Sequence, residues 1–203
     1  YTCTRCHETK TESIPVTGSV DVTQMFTDVT KNWAYPGIQY CVTHGIMGGM
    51  GNGTFAPTGT TTRAQIVQIL YNLEGTPAVS GTTPFTDLTD DWYQDAVLWG
   101  YQTGVVAGTS ATTFSPNDPV TREQVAVLLY EFADKVLEIG GAETPADLSR
   151  FPDGDQVSSW AREAMADAVA LGIINGTKVE NQVFLAPQGS ATRDQIATMF
   201  EGF

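Results

Sequence analysis

Apolar positions fall into three stretches of helical spacing, each framed by the same punctuation. From Trp33 to Gly45, Trp92 to Gly104 and Trp160 to Gly172 they recur three to four apart (Ile38, Cys41 and Val42 in the first, Trp92, Ala96 and Val97 in the second), which predicts an amphipathic helix. The closing glycine stands twelve residues after each tryptophan and reads as a C-terminal cap. Pro36 falls in the first turn of its helix, where a missing N–H costs little. A second helix is predicted to open at Thr62-Arg63-Ala64-Gln65, Thr121-Arg122-Glu123-Gln124 and Thr192-Arg193-Asp194-Gln195, each a Thr-x-x-Gln capping box. Its buried stripe is Ile66, Ile69 and Leu70, then Val125, Leu128 and Leu129, then Ile196, Met199 and Phe200.

The frame repeats in register. Phe26-Thr27-Asp28, Phe85-Thr86-Asp87 and Phe151-Pro152-Asp153 precede the tryptophans; Phe55-Ala56-Pro57, Phe114-Ser115-Pro116 and Phe184-Leu185-Ala186-Pro187 follow the glycines, with Arg63, Arg122 and Arg193 six residues past each proline. Such periodicity marks an internal repeat. Residues 76–84 and 140–147 are rich in small residues, Gly and Pro and read as linkers. The chain therefore divides into a leading segment, 1–21, and repeats at 22–77, 78–142 and 143–203. A helix pair with one apolar stripe is too small to stand alone, so the expected fold is all-α, three helix-loop-helix repeats closing pseudo-threefold around a shared helical core.

Charge and cysteine content narrow the chemistry. With 23 acidic against 10 basic residues and a net charge of −13, the chain lacks a phosphate-neutralising surface, so nucleic acid is excluded as a partner. No apolar stretch approaches the roughly 20 residues that span a bilayer, and no membrane insertion is expected. Three cysteines cannot all pair within one chain. Cys3 and Cys6, with His7, form at most half of a zinc site, so no metal and no cofactor are assigned. The first residues look like the tail of an upstream C-x-x-C module and linker.

These motifs, F-x-D, a tryptophan helix, T-F-x-P and T-R-x-[EQ], resemble the S-layer homology (SLH) domain over about residues 22–203. The resemblance implies a three-pronged trefoil. It also implies non-covalent anchoring of a bacterial surface protein in the cell wall or S-layer of a Gram-positive-type cell, with no enzymatic activity. The implied partner is an acidic secondary cell-wall polysaccharide ending in a pyruvylated amino sugar, held in grooves between repeats; other surface-layer subunits are a further partner class. The alternative is a self-assembly module whose grooves are vestigial. The third copy departs from the pattern, with Asp153 and Trp160 two residues farther apart and no Thr before Phe184.

Arg63, Arg122 and Arg193 are half of the six arginines, each at the helix end where a cation is electrostatically disfavoured. Such a placement needs a nearby carboxylate or an anionic ligand shared with free helix amides. If they hold a ligand, replacing one with alanine weakens binding and leaves stability nearly unchanged. Trp33, Trp92 and Trp160 read either as core anchors or as groove walls. Asp28, Asp87 and Asp153 read first as caps or turn formers, and through the resemblance as glycan contacts. Gly49, Gly108 and Gly176 read as backbone necessity at positions where a side chain would block a groove.

Overall fold

The computed structural model describes residues 20–201, and the reading of Cys3, Cys6 and His7 lies outside them. The described chain is mostly helical: α1 (Val22–Met25), α2 (Tyr35–Thr43), α3 (Arg63–Leu73), α4 (Gln94–Thr103), α5 (Arg122–Lys135), α6 (Arg162–Ala170) and α7 (Arg193–Glu201). A single hairpin, β1 (Thr177–Val179) and β2 (Gln182–Phe184), pairs antiparallel in the third repeat. None of these helices is long and apolar enough to cross a membrane.

The capping signals act largely as written. Gly45, Gly104 and Gly172 follow their helices at φ of 71°, 77° and 74°, the left-handed turn that glycine adopts without a steric penalty. Thr62 and Gln65, then Thr121 and Gln124, form reciprocal capping boxes. The third box differs. Asp194 accepts the Gln195 amide at 2.8 Å and Thr192 donates its hydroxyl to Asp194, so a carboxylate replaces the threonine oxygen as the cap.

Helix packing crosses repeat boundaries: α3 lies against α4, α5 against α6 and α7 against α2. The expected unit, two helices of one repeat sharing a stripe, is not the one observed. The segment from Gly45 to Thr62 is long enough to carry the second helix away from the first, onto the first helix of the next repeat. Small residues permit the contact; a Cβ on Gly37 would come within 2.7 Å of the Ala197 carbonyl.

Three backbone bonds between the repeats form a closed circuit. Thr61 N–H donates to Ala191 O (2.8 Å), Ala191 N–H to Val120 O (2.9 Å) and Val120 N–H to Thr61 O (2.9 Å). All three residues are fully buried. Each strand-like segment leads directly into α3, α5 or α7, so the circuit fixes where the three arginine-bearing helix starts lie.

Candidate functional site

Each repeat aspartate clamps a loop. Asp28 accepts the amides of Phe55 (2.8 Å) and Ala56 (2.7 Å), Asp87 those of Phe114 (2.9 Å) and Ser115 (2.7 Å), and Asp153 those of Leu185 (2.9 Å) and Ala186 (2.7 Å). The second residue of each pair is left-handed, with φ of 56°, 59° and 50° for Ala56, Ser115 and Ala186. Such a conformation is costly for a non-glycine residue, and the paired bonds offset that cost. The turn-forming reading of the aspartates thus describes their contacts.

The arginines grip the same loops from the neighbouring repeat. Arg63 Nε donates to Phe114 O (2.9 Å), Arg122 Nε to Leu185 O (2.7 Å) and Arg193 Nε to Phe55 O (2.8 Å), so repeat one reaches two, two reaches three, and three returns to one. A second donor goes to Ala107 O from Arg63 (2.9 Å), to Gly48 O from Arg193 (2.6 Å) and to Gln195 Oε1 from Arg122 (3.3 Å). Arg63 and Arg193 also lie over the rings of Phe114 and Phe55, 4.8 and 4.5 Å from the centroids.

Among the described residues no carboxylate comes within ion-pair distance of these guanidinium groups. Burial pushes the pKa of all three below the ordinary arginine value, partly opposed by Asp118 and Asp87 for Arg63, Asp153 for Arg122 and Asp28 for Arg193. They remain charged, and each keeps three of its five N–H donors uncommitted. The helix amides expected to be free are not. Arg63, Arg122 and Arg193 N–H donate to the carbonyls of Asp118, Gly189 and Gly59, and the following amides to Pro116, Pro187 and Pro57. These carbonyls, the negative ends of their dipoles, are what makes a cation tolerable at a helix start.

The tryptophans are not core anchors: Trp33, Trp92 and Trp160 are 62%, 54% and 58% exposed. The helices begin after them, and the buried stripe starts one residue later at Ala34, Tyr93 and Ala161. Two indoles stand in grooves with an arginine. Arg63, Gly108, Gln124 and Trp160 line a groove of 440 Å³. Arg122, Gly176, Gln195 and Trp33 line one of 720 Å³. Each thus draws on all three repeats. Gly49 and Gly108 lie against Phe26 and Phe85, leaving no room for a Cβ, and Gly176 has φ of 75° with Phe184 O 2.8 Å from a Cβ position. Backbone necessity accounts for all three glycines.

Sequence reasoning missed two groove features. Gln124 and Gln195 line the walls as well as capping helices. The third-copy residue equivalent to Phe55 and Phe114 is the fully buried Leu185, not Phe184, because it is Leu185 that Asp153 and Arg122 hold. Its distance of two from the proline was the available signal.

The sequence matches the S-layer homology domain over residues 26–67, 84–126 and 150–197. It is similar to an amylopullulanase of Thermoanaerobacterium thermosulfurigenes, 34% identical over 87% of this chain and 9% of that protein. It is also similar to a surface-layer 125 kDa protein of Lysinibacillus sphaericus (33%, 84% of this chain, 14% of that protein) and to exoglucanase XynX of Acetivibrio thermocellus (32%, 87% and 16%). The chain thus spans less than a fifth of the length of each. With the family's pattern matched three times along it, this chain belongs to the S-layer homology domain family.

Proposed function

We propose that this chain attaches its parent protein non-covalently to the cell wall by binding an acidic secondary cell-wall polysaccharide, ending in a pyruvylated amino sugar, in grooves between repeats. The chain is a cell-surface module of the cell wall or S-layer. Relatives named as a surface layer protein and as two different carbohydrate-acting enzymes share this stretch as a small fraction of their length, which suits a portable attachment module rather than a catalytic one.

The observation that carries the reading is the state of the arginines. Arg122 and Arg193 are buried and Arg63 is half-buried; all three are held in place by carbonyl oxygens without a carboxylate counterion among the described residues, and Arg63 and Arg122 line open grooves. A ligand carboxylate supplies that counterion, and the planar guanidinium matches it in a two-pronged way that lysine cannot. The exposed indole gives a sugar ring an apolar face. By equivalence, Arg193, Gly49, Gln65 and Trp92 form a third such set. Asp28, Asp87 and Asp153 act as positioning residues that shape the loop each arginine holds. The three repeats, divided at about 77 and 142, close as a pseudo-threefold trefoil; the circuit through Thr61, Val120 and Ala191 supports this closure.

The test is co-sedimentation with purified walls. Replacing Trp33, Trp92 and Trp160 together with alanine is expected to weaken retention at least about 10-fold, the scale of one aromatic ring against a sugar in each groove, while melting stays unchanged because the rings are exposed. If the triple variant sediments like the parent, the grooves are vestigial and the self-assembly reading replaces this one.

A further inference from the structure

The loop before the arginine helix is longer in the third repeat than in the others. Six residues separate Gly49 from Phe55 and Gly108 from Phe114, whereas nine separate Gly176 from Leu185. The extra length folds as the β1–β2 hairpin, turning at Glu180 with φ of 54°. Its first strand, through Thr177 and Lys178, borders the Arg122 groove. Its second, through Gln182 and Val183, borders another hollow of 480 Å³. The two hollows share Ile174 and Asn175 as a common edge.

The chemistry of the second hollow is distinct. Three carboxamides line it, Asn175, Asn181 and Gln182. Asn175 is fixed by donation to Gly172 O at 2.7 Å, which leaves its side-chain oxygen open. Asn181 and Gln182 have no side-chain partner among the described residues and are exposed. Pro152 and Phe151 give an apolar side, and the Arg150 guanidinium carbon stands over the Phe151 ring, 4.8 Å from its centroid. No acidic residue lines it, in a chain of net charge −13. Carboxamides both donate and accept, which suits hydroxyl and acetamido groups, and the volume falls in the range of small-ligand sites.

We propose that this hollow is a second sugar subsite, for a neutral acetamido sugar adjoining the acidic sugar at Arg122, so that one groove of the three reads two sugars. The inference rests on the glycan reading above. It gives the groove with the longest loop a preference for extended polymer that the Arg63 groove lacks.

The experiment titrates the intact chain with two probes: the methyl glycoside of a pyruvylated N-acetylhexosamine, and the disaccharide that adds a neutral N-acetylhexosamine. Heteronuclear NMR follows the side-chain amides and the indole N–H groups. The expected result is that both probes shift the Trp33 indole, and only the disaccharide shifts the Asn181 and Gln182 amides. The expected gain for the disaccharide, about 10-fold from one or two added hydrogen bonds, disappears in an Asn181→Ala/Gln182→Ala variant that still binds the single sugar. A disaccharide that shifts Trp33 without shifting the amides, or a variant that keeps the gain, overturns the subsite and leaves the anchor reading intact. Failure of both probes to shift any indole overturns both.

Discussion

Arginine at the start of a helix faces the positive end of the peptide dipoles, and three residues here share that position. The carbonyls of the next repeat resolve the conflict, and this changes what a substitution does. With alanine at 122, the buried carbonyl of Leu185 loses its donor, and the part-buried amide oxygen of Gln195 keeps only the Thr192 amide. Arg122→Ala is therefore expected to cost about 1.5–3 kcal/mol of stability, the range for bonds to a charged donor, rather than being neutral. Urea unfolding measures this, and an unchanged midpoint contradicts it. Asp87 works on the other side of the same kind of loop. Burial raises its pKa, but the amides of Phe114 and Ser115, its own amide and Arg63 outweigh this and hold it below the ordinary 3.8. A depressed folded pKa contributes stability that is complete above that value and is lost as acid protonates the folded carboxyl beneath it. Asp87→Asn, which cannot accept both amides, is expected to lose about 1–3 kcal/mol at neutral pH and to show a flatter acid limb below pH 3.8. Equal acid limbs in the two proteins contradict this role.

At the scale of elements, much was legible because the signals are local. A glycine in a left-handed turn, a threonine three before a glutamine and apolar residues three to four apart act through neighbours in sequence, and the caps at Gly104, Thr62 and Thr121 follow. What depends on distant chain was not legible. Nothing near Trp92 reveals that its helix begins at Gln94 and turns the ring outward, or that the amide of Arg193 is already taken by Gly59. The Arg and Trp positions were visible as recurring residues; that a groove unites Arg63, Gln124 and Trp160 from three repeats was not. Packing across boundaries carries its own prediction. A chain ending at Ala142 leaves α5 without α6 and α2 without α7, and opens the backbone circuit. It is expected to lose its cooperative melt in circular dichroism, whereas a sharp transition at the parent's temperature contradicts inter-repeat pairing as the source of stability.

For the whole molecule, shared construction and net charge point to local recognition. The Arg63 and Arg122 grooves each take residues from all three repeats, so a ligand of the proposed kind would bridge them and stabilise the folded chain by mass action. A chain of net charge −13 repels an acidic polymer at long range, so on the proposed reading affinity comes from local groups, the guanidinium groups, and matched grooves on one polymer would raise it through avidity. The most direct measurement is isothermal titration of the intact chain with wall polysaccharide before and after its pyruvyl groups are removed. On the proposed reading, loss of the pyruvyl carboxylate is expected to weaken binding about 10- to 150-fold per groove. Equal affinity for the two polymers contradicts the central claim that the arginines serve an acidic sugar.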